Sequence, residues 1–144
     1  LESVRLLEKT HEPWGLCVNL NRLASLCVEQ GELSVAWQYY RRVLELASRM
    51  DLPAETLEAV IGMAEVLLHQ GQPERAVALL AFGLAHPATA MQTKETGMML
   101  LGKLEDQVSP EIFEATCQRG RASELHDVVN SILGETQSGR DGEP

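Results

Sequence analysis

Aromatic residues are scarce in this chain: two Trp, two Tyr and two Phe make up 4% of 144 residues. A core must then be built from aliphatic side chains, and a nucleic-acid platform of stacked rings is disfavoured. Basic residues are also few. Lys and Arg number 12 against 21 Asp and Glu, for a formal net charge of −9. That balance repels phosphate backbones and anionic lipid surfaces, whose binding depends on Lys and Arg. Neither a nucleic acid nor a membrane is expected as a partner.

Three cysteines, Cys17, Cys27 and Cys117, form an odd set without Cys-x-x-Cys spacing. A disulfide framework is excluded, and a reducing, cytoplasmic setting is expected. Long apolar runs are missing too: the longest are a few residues, against the roughly 20 that cross a bilayer. No positively charged start leads into an apolar stretch, so no signal peptide is visible. No alternating run of β-branched residues occurs, so no strand is expected. The chain begins with Leu1 rather than Met and is expected to be a piece of something longer.

What is present is a globular composition, 44% hydrophobic and 23% charged, with a self-similarity at forty residues. Pro13 falls on Pro53, Leu23 on Met63, Ala24 on Ala64, Gln30 on Gln70, Gly31 on Gly71, Ala36 on Ala76 and Leu44 on Leu84. Each unit reads as two helices broken at a glycine. Leu20, Leu23, Ala24 and Cys27 recur at helical spacing before Gly31, and Ala36, Tyr40, Val43, Leu44 and Ala47 after it. In the second unit Val60, Met63, Ala64 and Leu67 precede Gly71. Pro73 then sits where a first-turn proline is tolerated, and Ala76, Leu80 and Leu84 follow. Short turns between such helices force them antiparallel.

The spacing Leu20-x-x-Leu23-Ala24-x-x-Cys27 then Ala36-x-x-x-Tyr40, repeated as Val60-x-x-Met63-Ala64-x-x-Leu67 then Ala76-x-x-x-Leu80, resembles the tetratricopeptide repeat. Its small positions are met by Ala24, Ala64, Ala36 and Ala76. Its aromatics are missing at Leu20, Val60, Cys27 and Leu67, and the unit is forty residues rather than thirty-four. The resemblance covers residues 1–87, with Leu1 to Thr10 similar to the tail of a preceding second helix. It implies an all-α fold, an α-solenoid of antiparallel helix pairs.

After Pro87 the repeat decays. Residues 89–107 are expected to form a helix with Met91, Met98, Leu101 and Leu104 inward. Ser109-Pro110-Glu111 is a helix start, with a capping hydroxyl, a first-turn proline and an acid at the positive dipole end. Ile112, Phe113, Thr116 and Cys117 lead to Gly120, and Leu125, Val128, Val129, Ile132 and Leu133 form a last stripe. Residues 88–134 are expected to be an atypical C-terminal cap and 135–144 a disordered tail. Ala85-His86-Pro87-Ala88, Ser109-Pro110-Glu111 and Gln118-Arg119-Gly120-Arg121 resemble the C-terminal end of large bacterial signal-transduction ATPases and LuxR-type regulators. That resemblance implies an ATPase upstream of this chain, and a sensor or scaffold role here.

No residue set amounts to an active site. Gly97 to Lys103 has the glycine and lysine spacing of a phosphate-binding loop, but Leu104 offers no hydroxyl, and large apolar residues fill the interior of the segment. His11, His69, His86 and His126 lie near helix ends or polar positions without a Ser or Cys at a nucleophile's spacing. The cysteines fall on apolar stripes and read as small hydrophobes, not zinc ligands. Glu58 and Glu65, at i and i+7 with Ile61 between, read as a solvated groove wall. Neither a cofactor nor a metal is expected, and the chain is expected not to be an enzyme.

In tetratricopeptide arrays the first helix of each pair lines the concave face. The resemblance therefore makes Val18, Asn21, Ser25 and Val28, with Glu58, Ile61, Glu65 and Leu68, the candidate partner-binding groove. The family's carboxylate-clamping pattern is absent: only Asn21, with Arg22 beside it, matches that set, and Glu58 and Glu65 would repel a peptide C-terminus. The expected partner is a protein or peptide, such as a basic or amphipathic helix, or a neighbouring domain of the parent chain. The alternative is a small-molecule effector sensor with its pocket on the same face.

Overall fold

The computed structural model describes the backbone of residues 13–141 and the side chains of 13–134. The helix expected over residues 1–10 lies outside the described residues. Among these, the protein is all-helical: α1 (Pro13–Glu29), α2 (Leu33–Arg49), α3 (Pro53–His69), α4 (Pro73–Ala85), α5 (Met91–Leu104), α6 (Pro110–Ala122) and α7 (Leu125–Asp141), with a 3-10 turn at Glu105–Gln107.

The first four helices begin at residues 13, 33, 53 and 73. The forty-residue repeat is thus two twenty-residue steps, each a helix closed by the same turn. Gly31, Asp51 and Gly71 stand there in the left-handed region, at φ of 79°, 56° and 75°. The next amide bonds back to the last turn: Glu32 N to Cys27 O at 2.8 Å, Leu52 N to Ala47 O at 2.9 Å and Gln72 N to Leu67 O at 2.9 Å. These are Schellman closures, which satisfy carbonyls that a helix end leaves orphaned. Pro53 and Pro73 start the next helix, where the missing N–H costs nothing. Three-residue connections leave successive helices antiparallel.

Packing follows the small residues. Ala24, Ala36, Ala64 and Ala76 are all fully buried. Helix α3 is central, with α1, α2, α4 and α5 all against it. Leu57, Val60, Ile61, Met63, Ala64, Val66 and Leu67 are buried around its circumference.

Past α4 the pattern changes. Thr89 Oγ1 donates to Gly83 O at 2.6 Å and Ala88 N to His86 Nδ1 at 3.1 Å, fixing the turn before α5. Helix α5 buries only Gly97, Leu100 and Leu104, leaving Met91, Met98 and Met99 exposed. The expected inward placement of Met91 and Met98 is therefore corrected: the stripe through Gly97 is the one that approaches Leu84 and Ile61. The phosphate-loop-like segment lies inside this helix. Ser109 Oγ accepts from Ile112 N at 3.4 Å, capping α6 as its sequence suggests.

Helix α6 packs on α4, and α7 turns back onto α2. Val129 and Ile132 join the core cluster of α1–α3, with Leu125, Val128 and Leu133 half-buried beside them. The segment expected to cap one end of the stack thus also packs along its side. Helix α7 runs on to Asp141, past residue 135 where the tail was expected to start. No proline interrupts this stretch, and extending a formed helix adds one hydrogen bond per residue.

Candidate functional site

Helix α3 has one open stripe. Glu58 and His69 are exposed and Glu55, Gly62 and Glu65 half-buried, while its other faces are covered. These positions recur every three or four residues and so share one side of the helix. In the forty-residue register they meet Gly15, Val18, Arg22, Ser25 and Glu29 of α1, none of which is buried. The two copies therefore open the same face.

The predicted groove residues divide along this line. Val18 is half-buried, Ser25 and Glu58 are exposed, and Glu65 and Leu68 are half-buried. Asn21 and Ile61 are corrections: they are 3% and 2% exposed. They occupy the same register position, which turns inward in both copies. Ile61 packs against Gly83, where a Cβ would stand 2.6 Å from its Cδ1. Asn21 Nδ2 donates to Glu55 O at 3.3 Å, tying α1 to the first turn of α3. Val28, also assigned to the groove, is buried. Gly62 rather than Ile61 lies between Glu58 and Glu65, and Arg22 rather than Asn21 holds the matching place on α1.

Charge on the stripe is negative and crowded. Glu55 accepts at Oε2 from Trp14 Nε1 at 3.0 Å. Burial and then Glu55 push the Glu58 carboxyl above its ordinary value, with Arg22 pulling it down. Glu65 Oε2 lies 4.0 Å from His69 Nε2. Beneath the stripe, Cys17 is pushed up to about 11, first by burial and then by Glu55, and stays a neutral thiol. The Tyr40 phenol is raised as well, by burial first and then by Glu65 and Glu58.

Among the described residues, no group of three or more His, Cys, Asp or Glu is placed to hold a metal ion. No helix among them is long and apolar enough to cross a membrane. The arrangement offers carboxylates to a cation and half-buried apolar edges to a side chain. The chain matches no protein-family model, no curated protein and no solved structure.

Proposed function

We propose that this chain is a protein-interaction module that holds its partner along the open face of α1 and α3. The observation that carries this reading is the single stripe of Glu58, Gly62, Glu65 and His69, left open on a helix covered on its other faces. A fold buries what it can, so an open stripe on its most enclosed element is available for a ligand. The twenty-residue steps and buried alanines suit tetratricopeptide-like stacking, in which this face would be the concave one. The resemblance then makes the chain the helical-repeat end of a larger bacterial ATPase-type regulator, with any ATPase activity outside this sequence.

The acidic stripe selects a basic or amphipathic segment and disfavours a peptide carboxylate. A small-molecule effector sensor, the alternative, would use the same face, at whose edge a cleft is lined by Trp14 and Gly15 with Met50 and Leu52. The test is photo-crosslinking in the full-length parent, from Ser25 or His69 on the stripe and from Glu124 as a control. Protein captured from the stripe positions and weakened above 0.1 M salt, where exposed charges are screened over about 10 Å, supports the reading. Capture from Glu124 alone overturns it.

A further inference from the structure

Helix α5 continues the open face as a third column. Forty residues separate Leu57, Val60 and Ala64 of α3 from Gly97, Leu100 and Leu104 of α5, and all six are buried. The lateral contact recurs as well. Asn21 reaches Glu55 at the start of α3. Ile61, forty residues on, has its Cδ1 3.4 Å from where a Gly97 Cβ would stand. Helix α5 therefore sits beside α3 as α3 sits beside α1. In the same register its outward line is Glu95, Met98, Gly102 and Glu105, every one exposed. One row across the three helices then reads Val18, Glu58, Met98.

Burial within the chain does not account for Met98. It is 64% exposed, and Met91, two turns earlier on the same line, is 71% exposed. One turn further on, a Cβ at Gly102 would meet nothing within 4 Å, so the line stays open past the thioether. Exposed apolar side chains grouped on one line mark contact with another molecule, and methionine adapts to the shape it meets. The charge around it selects what that molecule carries. Glu58 and Glu65 stand on the α3 side, and Glu95 and Glu105 on the line itself, against Lys94 half-buried at its flank.

We propose that Met98 is the apolar anchor of this face, and that the partner is an amphipathic helix laid across the three columns. Its contact side carries an apolar residue over Met98, a lysine or arginine over Glu58 and a second apolar residue over Val18. The inference rests on the binding role of the α1 and α3 face and adds the order of chemistry that the face reads. Packed helices lie about 8–10 Å apart, and seven residues of α-helix rise about 10.5 Å. The three groups therefore fall at i, i+7 and i+14 of the partner, on one side of it.

The experiment uses the whole chain, carbon-13 labelled at its methionine methyls, and two acetylated, amidated helical peptides built on alanine and glutamine. One carries Leu, Lys and Leu seven residues apart. The other has the same composition with the lysine moved two places, to the far side of the helix. The first should shift the Met98 methyl saturably and leave that of buried Met63 in place. By calorimetry it should bind at least threefold more tightly than the second. Met98→Gln should weaken it roughly five- to tenfold, the scale of one partly buried apolar side chain. Met99→Gln, on an equally exposed residue off the line, should not. Both substitutions are on the surface, so the fold should tolerate them. Equal affinity for the two peptides, or for the parent protein and Met98→Gln, overturns the anchor even if crosslinking from Ser25 and His69 captures protein. Failure of that crosslinking alone overturns the interaction module instead. Absence of binding by the first peptide overturns the anchor too. A Met98 shift that follows the concentration of the chain alone assigns this line to a second copy and overturns the partner helix.

Discussion

Gly120 of α6 rests on the carbonyl of Ala78 in α4, so closely that a Cβ there would stand 2.5 Å from that oxygen. The same Cβ would lie 3.0 Å from Ala81 Cβ and 3.2 Å from Phe82 N. These obstacles are backbone or rigid, so α6 itself would have to move. Gly120→Ala should cost about 1–3 kcal/mol, the usual penalty of overpacking. Gly102→Ala in α5 is the control, because nothing lies within 4 Å of its Cβ. It should gain roughly 0.5–1 kcal/mol from helix propensity. Urea denaturation of both variants checks this, and equal midpoints would mean that α6 does not pack on α4 as described.

Asp51 closes α2 with φ at 56°, where Gly31 and Gly71 close α1 and α3. A Cβ in the left-handed region is strained, and aspartate tolerates it better than most residues. Asp51→Gly should therefore stabilise by about 0.5–1 kcal/mol, the strain relieved exceeding the entropy added to the unfolded chain. Gly31→Ala and Gly71→Ala should each destabilise by a similar amount. Thermal melts that rank Asp51→Gly below the parent protein would show that this turn is held by something other than the Schellman closure.

Much of the helical order was legible in the sequence, because its punctuation is chemical. Gly31 and Gly71 stand just past the ends of α1 and α3, and Pro53 and Pro73 open α3 and α4. The stop at Asp51 carried no such mark, since an aspartate also suits an ordinary helix or loop, and the twenty-residue step stayed hidden behind the forty-residue one. On the binding face, periodicity alone could not choose between positions 61 and 62, which straddle the line through Glu58 and Glu65. Ile61 has a side chain to notice and Gly62 has none. Only tertiary packing, with Ile61 against Gly83 and Tyr40 under Gly62, decides which one turns outward. In the sequence Gly120 reads as a helix end, but it lies inside α6, where its missing side chain serves contact between helices rather than a turn.

Glu58 gives the stripe a pH dependence. Although the side chain as a whole is exposed, desolvation of its carboxyl and then Glu55 raise it above the ordinary 4.5, against the pull of Arg22. A raised folded value means that folding favours the protonated acid. Its contribution to stability is then full below 4.5 and is lost as pH rises through the higher folded value. Glu58→Gln should melt at or above the parent protein at pH 7, and that advantage should disappear on acidification below 4.5. A variant less stable at pH 7 and recovering in acid would reverse the sign and show that the Arg22 attraction dominates.

Helix α7 is held less firmly than the helices it covers. Its grip on α2 rests on Val129 and Ile132, with Leu125, Val128 and Leu133 half-buried. Arg41 adds one polar contact: Nη2 donates to Leu133 O at 3.4 Å, Nη1 pairs with Glu45 at 3.0 Å, and Nε is buried without a partner. Clefts of ≈ 550 Å³ and ≈ 370 Å³ lie along the helix, one towards Arg75 and Leu79, the other towards Asp51 and Leu52. An element bordering open clefts makes fewer dispersion contacts per residue. Local opening should therefore begin here, at a lower free energy than global unfolding. Amides of residues 125–133 should exchange with deuterium at least tenfold faster than those of residues 57–67 in α3. Ile132→Ala should speed exchange in α7 further while leaving the slowest α3 amides in place. A single common rate for both helices would make α7 part of the global folding unit.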